Sequence, residues 1–252
     1  MKKSLLGCAL LAAAVVAPVQ ADTLLGAYVG AQAWNMGTDG GFSNQESSLT
    51  NFAFDDKTNG AFYVALEHPV PLIPNIKVNR TILDTAGVTT LATEFEFNGT
   101  LYGNNTILNT DIEMTGTDFI LYYEILDNDL VSIDIGINGK YVDGTIMVSE
   151  ATGNRMTSED FSGVIPMGYA KVELGLPFTG LGLYAEGSFL AIDDSTASDF
   201  QAALTYSFVE SLALDMSLQA GYRAVKIELS DVDDLYSNLE FTGVFVGLEF
   251  DF

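Results

Sequence analysis

Apolar and polar residues alternate along most of this chain. Leu212, Leu214, Met216, Leu218, Ala220 and Tyr222 fall on one phase, and Ala213, Asp215, Ser217, Gln219, Gly221 and Arg223 on the other. A period of two sends these sets to opposite faces of a β-strand, whereas a helix would scatter the charges around its circumference. The pattern recurs in Phe62, Val64 and Leu66, in Phe119, Leu121, Tyr123 and Ile125, and in Val131, Ile133, Ile135 and Ile137. It returns in Ala170, Val172 and Leu174, in Phe200, Ala202, Leu204, Tyr206 and Phe208, and in Val244, Val246, Leu248, Phe250 and Phe252. The alternation predicts strands over 22–34, 60–68, 75–84, 117–126, 130–142, 162–176, 181–192, 199–209, 211–229 and 238–252.

Short connections at 68–74, 127–129, 177–180 and 210–211 carry the Pro, Gly, Asn and Asp of tight turns. Longer polar stretches at 35–59, 85–116, 150–160, 193–198 and 230–237 lie between them. Residues 88–114 alternate only partly, and either extend the third strand or form a loop hairpin. Strict alternation of long and short connections implies an even strand number with both termini on one side, as in bacterial single-chain membrane barrels. Ten strands are favoured over eight or twelve.

The polar phase carries Glu67, Lys77, Asp118, Glu124, Asp134, Lys140, Lys171, Glu173, Glu186, Asp215 and Arg223. A soluble sandwich would turn these charges to water and bury the apolar phase. A membrane barrel does the reverse, with apolar side chains towards lipid and polar ones lining the lumen. Aromatic residues at both ends of an apolar stripe, such as Phe200 with Tyr206 and Phe208, favour the membrane reading, because such rings prefer the interfaces. Tyr28, Tyr63, Tyr122, Tyr169 and Tyr184 also fall on the inward phase. Arg80 shares the phase of Ile76, Val78 and Ile82 and so points to lipid, at a cost of about 2–4 kcal/mol at the bilayer midplane and less near an interface.

The chain ends on Phe252, with apolar residues at 250, 248, 246 and 244. In this it resembles bacterial outer-membrane β-barrels, whose last strand commonly ends in Phe. The resemblance implies that Phe250 and Phe252 belong to a signal read by the barrel-assembly machinery. The runs from Gly26 to Trp34, Glu67 to Asn75 and Tyr122 to Asn128 resemble a family of small outer-membrane barrels of marine γ-proteobacteria, known as a fold without an assigned activity.

The N-terminus adds an address. Lys2 and Lys3 precede an apolar stretch from 5 to 17, then Pro18 and Val19-Gln20-Ala21. This is the pattern of a secretory signal peptide cleaved after Ala21, leaving 22–252 as the barrel in the outer membrane of a Gram-negative bacterium. With 34 acidic and 10 basic residues, the chain has no basic patch to meet phosphate, so nucleic acid is excluded as a partner. Its 48% hydrophobic content excludes disorder.

One Cys and one His rule out His/Cys zinc sites and disulfide frameworks, and no cofactor is expected. His68 lies in a turn beside Glu67, which as its strand neighbour faces the opposite way, and no G-x-S-x-G motif occurs. The chain is therefore expected not to be an enzyme. The acidic pairs Asp55-Asp56, Glu159-Asp160 and Asp193-Asp194, and the run Asp231-Val232-Asp233-Asp234, lack EF-hand spacing and offer at most weak divalent-cation binding at the surface. The expected role is structural or surface-interacting, with outer-membrane lipid and lipopolysaccharide as surroundings. The alternative is a narrow channel for small solutes. Inward cations sufficient to pair with several carboxylates, in a barrel small enough for side chains to fill, favour the first.

Overall fold

The computed structural model describes residues 25–44, 49–70, 72–128, 130–192, 195–211, 213–232 and 235–252. The expected signal peptide and its cleavage site after Ala21 lie outside this range. Ten long strands form the wall: β1 (Gly26–Ser43), β2 (Lys57–Glu67), β3 (Asn75–Ile82), β4 (Ile107–Asn128), β5 (Val131–Glu150), β6 (Met156–Leu176), β7 (Leu181–Ile192), β8 (Ser195–Val209), β9 (Asp215–Val232) and β10 (Leu235–Asp251). Each pairs antiparallel with its neighbours in sequence, and β10 closes on β1 with Phe250 opposite Val29. Closure satisfies the backbone of every strand without leaving a full-length edge in lipid.

The strands run further than the alternation of lipid-facing residues suggests. β4 starts at Ile107 and β5 continues to Glu150. All five long polar connections shrink accordingly. The turn between β5 and β6 spans 151–155, while β7 runs to Ile192 with β8 starting at Ser195, and β9 runs to Val232 with β10 starting at Leu235. The physical reason is visible on β4. Its inner face reads Leu108, Ile112 and Met114, then Asp118 and Tyr122, all buried. Its outer face reads Asn109, Asp111 and Glu113, then Phe119, Leu121 and Tyr123, all exposed. The parity is constant while the polarity inverts, because the solvent outside the wall changes from lipid to water. β5 inverts between Lys140 and Val142, and β10 between Phe245 and Glu249 on its inner face. Polar residues beyond these points mark wetted strand faces, not coil.

Inside the extension sits an apolar core: Trp34, Met36 and Phe42 of β1 pack with Ile112, Val142, Ile146, Ile227 and Phe241. The 85–116 stretch supplies both of its expected alternatives. Thr85–Thr90 continues β3 along β4, and Phe95–Phe97 pairs with Thr100–Tyr102 in a hairpin. Asn98 and Gly99 carry φ of 42° and 71°, the backbone of a type I′ turn. The hairpin folds into the mouth, where Phe95, Phe97 and Tyr102 are fully buried: Phe95 and Phe97 pack on Phe42, Phe95 also on Phe52, and Tyr102 stacks on Phe95. Asn98 Nδ2 donates to Ser158 O (2.9 Å) and Tyr102 OH to Thr157 Oγ1 (3.0 Å), which ties this plug to the upper end of β6.

Arg80 faces outward, in register with Thr117 and one step beyond the exposed ring of Phe119. Its guanidinium donates to Thr117 Oγ1 (3.2 Å) and Thr115 Oγ1 (3.3 Å). It therefore sits at the upper rim of the apolar band, where the cost of a charge is small.

Candidate functional site: the barrel interior

Below the apolar plug the lumen is crossed by a layer of charges. Arg223 on β9 grips Asp199 on β8 through two hydrogen bonds, Nε to Oδ1 at 2.9 Å and Nη2 to Oδ2 at 2.7 Å. Lys140 on β5 bridges Asp199 (3.0 Å) and Asp118 (2.8 Å). Asp118 also accepts from Asn138 (2.7 Å) and Asn79 (3.0 Å). Across the barrel, Lys77 meets Glu186 at 2.7 Å, and the same carboxylate accepts from Tyr169 and Gln201. Lys77, Lys140 and Arg223 thus face Asp118, Asp199 and Glu186, and the layer is neutral. Charge-assisted and bidentate hydrogen bonds of this kind compensate the loss of water around buried ions. The space left among them is about 30 Å³, room for about two water molecules. Above the layer, the Arg223 guanidinium lies 5.3 Å from the ring of Trp34, joining the charged layer to the apolar plug.

A second tier lies nearer the termini. Gln32, Gln219, Tyr63 and Tyr184 are hydrogen-bonded across the barrel, and Tyr63 donates to Glu249. Lys171 pairs with Glu173 at 2.8 Å, and Tyr122 donates to Glu67 at 2.6 Å. Asp134 is buried beside Ser132. The barrel then opens into a vestibule of about 360 Å³ lined by Tyr28, Glu67, His68, Glu124, Asp127, Asp215 and Asp251. Of the charges expected to face inward, Lys77, Asp118, Lys140, Glu186 and Arg223 belong to the layer, Asp134, Lys171 and Glu173 to the second tier, and Glu67, Glu124 and Asp215 to the vestibule. Glu124 and Asp215 are at the open end, where Asp215 also caps the turn by accepting from Ser211 N at 2.7 Å. Missed by the sequence reading were Asp199, the hub of the layer, and Glu249 and Asp251. Parity alone could have found them, since Asp199 precedes Gln201 on the inward phase and Glu249 follows Gly247.

Among the described residues no group of three or more His, Cys, Asp or Glu side chains could hold a metal ion. Glu159 accepts from Asn44 and Asp160 from Thr145, while Asp193, Asp194, Asp233 and Asp234 lie outside the described residues. His68 Nδ1 accepts from Val70 N at 3.3 Å and its own N–H donates to Asn75, so it organises the turn between β2 and β3.

A closed antiparallel ladder, apolar towards its surroundings and charged within, defines a transmembrane β-barrel of the outer-membrane type. The aromatic side chains of Phe62, Phe119, Tyr123, Phe200, Tyr206, Phe208, Tyr222 and Phe252 are exposed on the outer wall, as those of the aromatic girdles of such barrels are. Among solved structures the chain is similar to the outer-membrane protease OmpT of Escherichia coli, at 8% identity over 93% of this chain and 99% of that one, with a TM-score of 0.49. It is also similar to the transport unit of the autotransporter AIDA-I of Escherichia coli (8% identity, 96% and 95% covered, TM-score 0.41). A third is Ail, the attachment invasion locus protein of Yersinia pestis (10% identity, 90% and 99% covered, TM-score 0.35). No protein-family model matches the sequence, and neither does any curated protein sequence. The expectation that the chain is not an enzyme is withdrawn, because a protease stands among these barrels. A barrel with one histidine gives no ground for excluding catalysis.

Proposed function

We propose that this protein is a closed outer-membrane barrel with a structural or surface-interaction role, and not an open conduit. One observation carries the reading: the neutral Lys77–Lys140–Arg223 layer and the aromatic plug stand in series across the same lumen. Ions would have to cross both a fully paired charged layer and a dry apolar one. Small barrels have interiors that side chains fill, in keeping with this. The competing reading, a narrow channel for small solutes, draws on the acidic vestibule, which would gather cations at one mouth. Recording from purified protein in planar bilayers separates the two. The closed reading expects a silent membrane, and steady unitary currents would refute it.

The same reading takes outer-membrane lipid and lipopolysaccharide as the surroundings of the girdles, and a signal peptide ending at Ala21 as the export route. It takes β10, ending Phe250-Asp251-Phe252, as the segment met by the barrel-assembly machinery. Membership of the small-barrel family of marine γ-proteobacteria is part of this proposal, carried by the three runs that resemble it.

A further inference from the structure

The wall of the barrel is not equally tall all round. β6 pairs with β5 from Met156 to Leu174, but with β7 only from Gly168 onward, opposite Phe189. β7 ends at Ile192, so that among the described residues the stretch 156–167 of β6 is paired with a strand on one side only. Behind this gap lies an apolar cavity of about 110 Å³.

Its lining shows how it opens. Phe161, Gly163 and Ile165 from the inner face of β6 border it, and so do Ser162 and Val164 from the outer face. A strand whose two faces both border one cavity presents its edge to it, so the cavity is reached sideways, past that edge. Ile227 and Leu239 form the far wall. Gly163 keeps the space clear: a Cβ built there meets nothing within 4 Å, although the residue points into the barrel.

We propose that this cavity is a binding site for an uncharged apolar molecule of about the size of one aromatic ring, taken in past the unpaired side of β6 above Gly168. The volume is slightly below the ~150 Å³ of an apolar cavity known to stay dry and accept benzene. No cation lines it. The nearest charges on β6, Glu159 and Asp160, are acidic, and Lys226 beside Ile227 is already paired with Glu228 at 2.9 Å. A carboxylate or phosphate headgroup therefore finds no partner. A peptide strand added to the β6 edge is disfavoured by Pro166, which has no N–H to offer, and by Asp160. A lipid tail is disfavoured by height. The mouth is level with Tyr141, the register partner of Val164, and aromatic residues with a polar tip favour the headgroup region. A tail would leave the hydrocarbon to reach it.

The test is carbene labelling of the purified barrel in bilayers with a small phenyl diazirine, the adducts being mapped by mass spectrometry. The site expects adducts on the inward residues Phe161, Ile165, Ile227 or Leu239, lost on adding excess benzene. Gly163→Phe should abolish them while labelling of the lipid-facing Val172 and Leu174 persists. Gly163→Leu serves the same end if the larger variant does not fold. Adducts confined to outward residues would overturn the proposal. So would inward adducts given by a diazirine on a lipid acyl chain and not by the small probe, which would make the occupant a lipid tail.

Discussion

Arg223 shows how much one residue carries in a lumen of this kind. Its side chain is almost wholly buried, holds Asp199 by two hydrogen bonds and lies over Trp34. Arg223→Ala leaves Asp199 with Lys140 alone, and Lys140 is already shared with Asp118. Removing one partner of a buried pair costs about 3–5 kcal/mol, mostly because the remaining charge is stranded. Thermal unfolding of the variant in detergent, followed by the loss of the compact band on unheated gels, should show a clear drop in midpoint. An unchanged midpoint would mean that the layer is hydrated, and would move weight to the channel. Arg223 was legible as an inward cation from its phase. Its partner was not, because pairing across strands is decided by register, and register is not written in either strand alone.

At the scale of the strand, β4 and β5 each cross two solvents. The inversion of polarity at constant parity predicts opposite outcomes for one substitution made at two outward positions of β4. Leu121→Arg places a charge on the lipid face and should cost about 2–4 kcal/mol. Glu113→Arg lies on the wetted extension and should change stability by less than about 0.5 kcal/mol. Urea unfolding in lipid vesicles measures both, and equal costs would show that the extension is not in water. β10 raises a separate question of biogenesis. Phe252 N–H and C=O bond to Ala27 at the closing seam, and its ring is exposed on the outer wall. Phe252→Ser should lower accumulation in the outer membrane of cells far more than it lowers refolding in vitro, as expected of a signal read during assembly. Normal accumulation of the variant removes that role.

For the whole molecule, the start of β1 and the end of β10 share one end, with Ala27 bonded to Phe252, and the plug closes the other. Barrels of this class keep short turns in the periplasm and their longer connections outside. An epitope inserted at Gly153, in the turn between β5 and β6, should be labelled on intact cells. One inserted at Asn128, between β4 and β5, should be labelled only after the outer membrane is broken. The reverse pattern would invert the molecule, placing the plug in the periplasm and the acidic vestibule at the surface.

The alternation of side chains and of connection lengths by itself determined the fold class and the number of strands, because a pleated strand assigns its faces by parity and a membrane leaves only one face for charge. It also held the signs of the strand extensions: Leu108, Ile112 and Met114 alternate with Asn109, Asp111 and Glu113, and Asn98-Gly99 marks the plug hairpin. Polarity hid them, since acidic and amide residues outside the bilayer look the same on a wetted strand as in a loop. Only the tertiary structure decided the pairing of Arg223 with Asp199, the seating of the hairpin against Phe42, and the gap beside β6. Each depends on which strands meet, at what register, and how far each climbs above its neighbour, and these are properties of the closed barrel rather than of any one segment.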